Sequence, residues 1–146
     1  MTTQSHTKST TRSLPIALLR ARETVMAPIR DMLHDIQLTE QKWRILRVLD
    51  ELGEVEQSAI AHEACLLLPS LTRILRTMEA EGQITRRQDK QDKRRTMVQI
   101  TKAGRAVLED NLATSLTISS NIEAQMGREK LDQLLDLLEE LQAVKV

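Results

Sequence analysis

Aromatic residues are almost absent from this chain: Trp43 stands alone, with no Phe and no Tyr among 146 residues. A core here must be built from Leu, Ile, Val, Met and Ala. The same scarcity argues against binding single-stranded nucleic acid by base stacking, which needs aromatic platforms. Cysteine is nearly missing too. Cys65 alone allows no internal disulfide, which fits a reducing cytoplasm. No apolar run approaches the roughly 20 residues that span a bilayer. The opening MTTQSHTKSTTR is polar and lacks an apolar signal core, so residues 1–12 read as a disordered tail. Metal ligation has no spacing to support it, because His6, His34 and His62 are scattered around one cysteine. Nor does the chain carry a phosphate-cradling loop, a catalytic triad or paired acid/base carboxylates. It reads as a non-enzyme with no cofactor.

Net charge is absent as well, with 21 basic residues against 21 acidic, but the charge is segregated. Residues 70–105 hold 10 Lys and Arg against 4 Asp and Glu, a balance of +6 that leaves −6 on the remainder. A basic stretch on an acidic body is the footprint of a phosphate-binding surface.

Residues 14–36 suit a long helix, with Pro15 in its first turn and a coiled-coil-like seam: Pro15, Leu19, Arg22, Met26, Ile29, Leu33, Ile36. Pro28 lies inside the pattern and predicts a kink or a split. Thr39 caps a second helix that carries Trp43, Ile45, Leu46 and Leu49 and ends at Gly53. A short extended piece at 54–56 and a small helix at 58–65 follow.

A fourth helix begins about Pro69. Leu71, Ile74, Leu75 and Met78 fall at i, i+3, i+4 and i+7 and share one buried stripe. Ser70, Thr72, Arg73, Arg76 and Thr77 are left outside, and Gly82 closes the helix. Residues 84–88 and 96–100 read as two strands around the polar tip DKQDKR. Thr101 caps a fifth helix running through Val107, Leu108, Leu112, Leu116 and Ile122 to a break at Gly127. The last helix carries Leu131, Leu134, Leu135, Leu138 and Leu141 on one face, broadened by Leu137 and Val144. So wide an apolar stripe must meet another part of the chain or a second chain.

The resulting fold class is mainly α: a winged helix-turn-helix of about six helices and a two- to three-stranded wing, with an N/C-terminal helical region. A duplex is read from its major groove by the outer side chains of such a helix. Ser70, Thr72, Arg73 and Arg76 sit on the correct face.

In this order the elements resemble the MarR family of bacterial transcription regulators, across residues 14–144. LTEQKWRIL (38–46), PSLTRILRTMEAEG (69–82) and DKRRTMVQITKAGR (92–105) carry the likeness. SLPIALLRARETVM (13–26) and ACLLLPSLTRIL (64–75) resemble the branch controlling homoprotocatechuate and related aromatic-acid catabolism. The resemblance implies a homodimer, with residues 13–36 and 102–146 forming the dimerisation region and 37–101 the winged DNA-binding region. It implies a repressor, cytoplasmic and nucleoid-associated, on the palindromic operator of a catabolic operon, released from double-stranded DNA by a small aromatic carboxylate.

In the family the arginine of the wing motif enters the minor groove and an aspartate orients it, which maps onto Arg94 and Asp92. Arg86, Arg87 and Arg95 are read as phosphate contacts. For the effector, Arg22 is the leading candidate, since a charge in an apolar seam needs a partner. A ligand carboxylate would serve, and so would Glu23, a C-terminal acid or the partner chain. Arg20, His34 and Trp43 are placed at the pocket's border, with core packing the alternative for Trp43. Cys65, among the apolar residues of ACLLL, reads as a small core residue. Oxidant sensing through it, and ligand-independent DNA binding, are the alternative functions.

Overall fold

The computed structural model describes residues 10–146; most of the expected tail, residues 1–9, lies outside the described residues. Thr10–Arg12 forms one 3-10 turn. Seven helices follow: α1 (Leu14–Asp35), α2 (Glu40–Leu52), α3 (Gln57–Glu63), α4 (Leu68–Ala80), α5 (Lys102–Asp110), α6 (Leu112–Met126) and α7 (Arg128–Gln142). Three strands, β1 (Val55–Glu56), β2 (Ile84–Gln88) and β3 (Thr96–Ile100), pair antiparallel in the order β1-β3-β2. The chain divides into two compact units. One is Met32–Leu116, and the other joins the residues up to Asp31 with Thr117–Val146.

The core of the Met32–Leu116 unit is aliphatic, as the composition requires. Ile45, Leu46 and Leu49 of α2 meet Ile60 and Ala64, then Leu71, Leu75 and Met78 of α4, over Ile84, Val98 and Ile100 of the sheet. Each Leu, Ile, Val or Met side chain among them contributes about 1.5–3 kcal/mol on leaving water. Register follows from the same burial: Ile84 lies opposite Ile100, and Val98 opposite Val55, so that paired strands turn apolar residues inward together.

Local chemistry sets the helix ends. The Lys42 amide donates to the Thr39 hydroxyl at 3.2 Å, and the Gly104 amide to the Thr101 hydroxyl at 3.1 Å. Gly82, at φ +80°, lets the chain leave α4 through the left-handed region and turn at once into β2. Gly104 is needed for another reason. A Cβ on it would lie 2.3 Å from the Gln83 carbonyl oxygen and 2.9 Å from Ile100 Cγ1, so α5 approaches the start of β2 too closely for any side chain.

Three details differ from the sequence expectation. Of the kink or split expected at Pro28, the split does not occur: α1 runs through it as one helix, since losing one backbone hydrogen bond leaves the rest of its 22 residues intact. The expected fifth helix is two helices, α5 and α6. Asn111, at φ −110° and ψ 5°, turns its side-chain amide back to the Val107 carbonyl at 2.8 Å and interrupts the α-helical run. Cys65 is exposed and sits at φ +56°, in the turn after α3; the apolar character of ACLLL is carried inward by Ala64 and not by the thiol.

The second unit has no buried residue among those described. Leu14, Leu18, Leu19 and Val25 of α1, and Leu134, Leu135 and Leu137 of α7, are all exposed in the single chain. No helix among the described residues is long and apolar enough to cross a membrane.

The Gly104 contact yields a stability prediction. Gly104→Ala should destabilise the protein by about 1–3 kcal/mol, the usual effect of forcing atoms into a filled space. Thermal unfolding checks it, and a midpoint equal to that of the parent protein would mean that α5 and β2 separate easily.

Candidate nucleic-acid interface

The outward face of α4 follows from its inward one. With Leu71, Leu75 and Met78 fully buried, helical geometry leaves Arg73 and Arg76 exposed on the opposite side. Neither guanidinium has a side-chain partner among the described residues. Ser70 is half-buried near the N-terminal end. Thr72 is half-buried and committed: its hydroxyl accepts from Gln57 Nε2 at 2.5 Å and donates to the Leu68 carbonyl at 3.0 Å. That pair ties α3 to α4.

The wing is a hairpin closed by backbone bonds. Asp89 N–H donates to the Arg95 carbonyl at 2.9 Å, and Arg95 N–H to the Asp92 carbonyl at 3.0 Å. Asp92 then does two things with one carboxylate. Its Oδ1 accepts from the Arg94 amide at 3.1 Å, which shapes the turn, and from Arg94 Nε at 3.1 Å, while Oδ2 accepts from Nη2 at 3.3 Å. Arg94 is thereby held at both backbone and guanidinium, yet its side chain is 91% exposed. The Arg94 hydrogen bonds hold the Asp92 carboxyl below the usual carboxylate range.

The other wing arginines are engaged with acids. Arg86 donates its backbone amide and Nη2 to Glu79 of α4 at 3.0 and 3.1 Å, which lowers the Glu79 pKa. Arg87 pairs with Glu54, its Nε at 3.3 Å from Oε2, and this raises the Arg87 pKa. Arg95 reaches Glu56 at 3.2 Å and Asp89 at 3.7 Å. Arg86, with its side chain only 22% exposed, therefore anchors the wing to the back of the reading helix. Glu54, Glu56, Glu79 and Gln57 were not singled out from the sequence. Their only sequence signal is an acid or amide in an otherwise basic or apolar neighbourhood.

The effector candidates belong to different units. Arg20 and Arg22 are exposed on α1, in the unit that joins the residues up to Asp31 with Thr117–Val146. Arg22 is not an intruder in a sealed seam in the single chain, and Glu23 forms its ion pair with Arg30. His34 is exposed and Trp43 is 7% exposed, both in the Met32–Leu116 unit. Arg47, one turn beyond Trp43 on α2, is exposed and has no side-chain partner among the described residues. A hollow of about 600 Å³ in that unit is lined instead by Ile36, Leu38, Glu81, Gln83, Val107 and Asp110 among others.

The Asp92–Arg94 pair makes a pH prediction. A carboxylate whose folded pKa is depressed contributes above its unfolded value and loses that contribution as pH falls through the lower folded value. Asp92 should therefore titrate below the ordinary carboxylate range in side-chain NMR, and its midpoint should move up in Arg94→Ala. An unmoved midpoint would show that the pair does not form in solution.

Known proteins share this fold. The MarR family model matches residues 38–96, from the start of the helix-turn-helix to the wing. The homoprotocatechuate degradative operon repressor of Escherichia coli is 41% identical over 132 residues, 90% of this chain and 89% of that protein. The crystal structure of NadR in complex with 4-hydroxyphenylacetate superposes with a TM-score of 0.83 at 37% identity, over 95% of this chain and 99% of that one. The transcriptional repressor CouR, bound to a 23-mer DNA duplex, gives a TM-score of 0.82 at 26% identity, over 90% and 94%. A reading helix with free arginines, a wing whose tip arginine is held outward, and full-length relatives at this identity together establish that the chain belongs to the MarR family of DNA-binding transcription regulators.

Proposed function

We propose that this regulator is a homodimeric repressor of an aromatic-acid catabolic operon, released from a palindromic operator by a small aromatic carboxylate. The observation that carries the DNA part is the coupling of Arg73 and Arg76 on an unobstructed helix face with Arg94 held outward by Asp92. In this reading Arg73 and Arg76 reach base edges or phosphates in the major groove. Ser70 anchors a phosphate near the helix start, and Arg94 enters a narrow minor groove, where negative potential is concentrated. Thr72 and Arg86 position these elements more than they read DNA, and Arg95 lies beside the backbone. Two kinds of protein support the effector class: a repressor of homoprotocatechuate degradation at 41% identity, and a regulator solved with 4-hydroxyphenylacetate at 37%. Arg20, Arg22, His34 and Trp43 are the effector candidates, cations for a carboxylate and an indole for a ring.

The dimer rests on a physical argument. The apolar faces of α1 and α7 are exposed in one chain, and surfaces of that extent mark an interface. A second reading, release by oxidants through Cys65, is favoured by the exposure of its thiol.

Fluorescence anisotropy on DNA from the protein's own promoter region tests the whole. Binding should be sequence-dependent and released by 3,4-dihydroxyphenylacetate, 4-hydroxyphenylacetate or a simple benzoate, with Trp43 emission reporting the titration. Tight binding released only by peroxide, and retained in peroxide by Cys65→Ser, would instead select the second reading. Arg94→Ala should weaken binding about tenfold and lower the salt dependence by roughly one counterion. Arg73→Ala should also narrow the gap between operator and scrambled DNA by about 1–3 kcal/mol. Full affinity in either variant would remove that residue from the interface. The mass in solution at micromolar concentration should be that of a dimer; a monomer would overturn the dimeric arrangement.

A further inference from the structure

Leu67, Leu68 and Pro69 form a run of three exposed apolar residues at the leading end of α4. Leu67 is 77% exposed and Leu68 is 48% exposed. Scattered exposed leucines need no explanation, but a contiguous apolar run on a surface does. The position makes it more unusual. Leu67 is the residue that caps α4, at φ −72° and ψ 139°, and it offers no side-chain hydrogen bond to the first turn. Ser, Thr, Asp or Asn would serve the helix better there. The protein thus carries a residue that suits neither water nor the helix end.

The surroundings identify what would suit it. Ser70 and Arg73 follow on α4, and Leu68 shares a small hollow with Arg94 and Thr96 of the wing and with Glu56, whose carboxylate is paired with Arg95. The apolar tip is therefore framed by the cations of the reading helix and of the wing, on the surface that the MarR fold turns to a duplex. An acidic groove is complementary to that frame. Within a major groove the one apolar group on a base edge is the C5-methyl of thymine. The N-terminal end of a reading helix is the part that reaches base edges most deeply.

We infer that Leu67 reads a thymine methyl group in each operator half-site, and so sets sequence preference by contact with an apolar group where the arginines read acceptors. This rests on the DNA-binding reading above. The decisive substitution is thymine to deoxyuridine, which removes that methyl and leaves Watson–Crick pairing intact.

The test uses the duplex that the full-length protein protects in its own promoter region. Each thymine is replaced in turn by deoxyuridine, symmetrically in both half-sites, and binding is followed by anisotropy. One position should weaken binding by about fourfold per half-site, the worth of one buried methyl group. In Leu67→Ala the parent duplex should bind correspondingly less well, and the uracil penalty at that position should vanish. Leu67→Ser separates recognition from stability. It should raise the thermal midpoint by capping α4 and still abolish the uracil penalty. Absence of any sensitive thymine, or a penalty undiminished in both variants, overturns the inference while leaving DNA binding standing. Failure of the parent protein to bind promoter DNA overturns the DNA reading itself.

Discussion

Burying Leu71, Leu75 and Met78 together is the constraint from which the rest of the DNA-binding unit follows. One helix can bury only one stripe, so committing these three to α2, α3 and the sheet decides which side chains face outward. With almost no aromatic volume available, α2, α3, α4 and the sheet meet through Leu, Ile, Val and Met. The close approach at Gly104 belongs to the same economy of space. It holds the start of α5 against the Gln83 carbonyl, at the point where α4 hands over to β2. The orientation of the reading helix is thus a packing result before it is a recognition device.

Electrostatics then sorts the basic residues by task. The segment from 70 to 105 is strongly basic, yet much of that charge meets carboxylates within the fold. Glu79, Glu54 and Glu56 engage Arg86, Arg87 and Arg95, joining α4 and the β1 segment to the wing. These pairs are partly exposed, so each contributes modestly to stability. Their effect is geometric. They fix the wing relative to the reading helix and leave Arg73, Arg76 and Arg94 as the arginines of this segment that project. Asp92 differs from the other acids because its arginine remains almost fully exposed while held in one pose.

The other unit has a different physical character. Its helices expose leucines and valines that a monomer leaves in water, while the Met32–Leu116 unit buries a complete core of its own. This contrast is the reason for assigning association to α1 and α7.

Much of this was legible in the residues themselves. Apolar spacing marked α4 and its buried stripe, Thr39 and Thr101 announced helix starts, Gly82 announced a stop, and the strands on either side of DKQDKR stood out by composition. Local rules suffice there because each signal acts within a few residues of its effect. The Asx-type turn by which Asp92 holds Arg94 is equally local. The break at Asn111 turned on a single side chain whose competing hydrogen bond no periodicity reveals. The exposure of Cys65 came from a left-handed turn inside an apolar word. The pairing of Glu79 with Arg86, of Glu54 with Arg87 and of Gln57 with Thr72 needed the tertiary structure, because partners 7, 33 and 15 residues apart meet only once the sheet and helices are assembled. The sequence by itself determined which elements form and which face of the reading helix is buried, through short-range periodicity. Only the tertiary structure decided which of its many arginines are tied into the fold and which are left to reach outward.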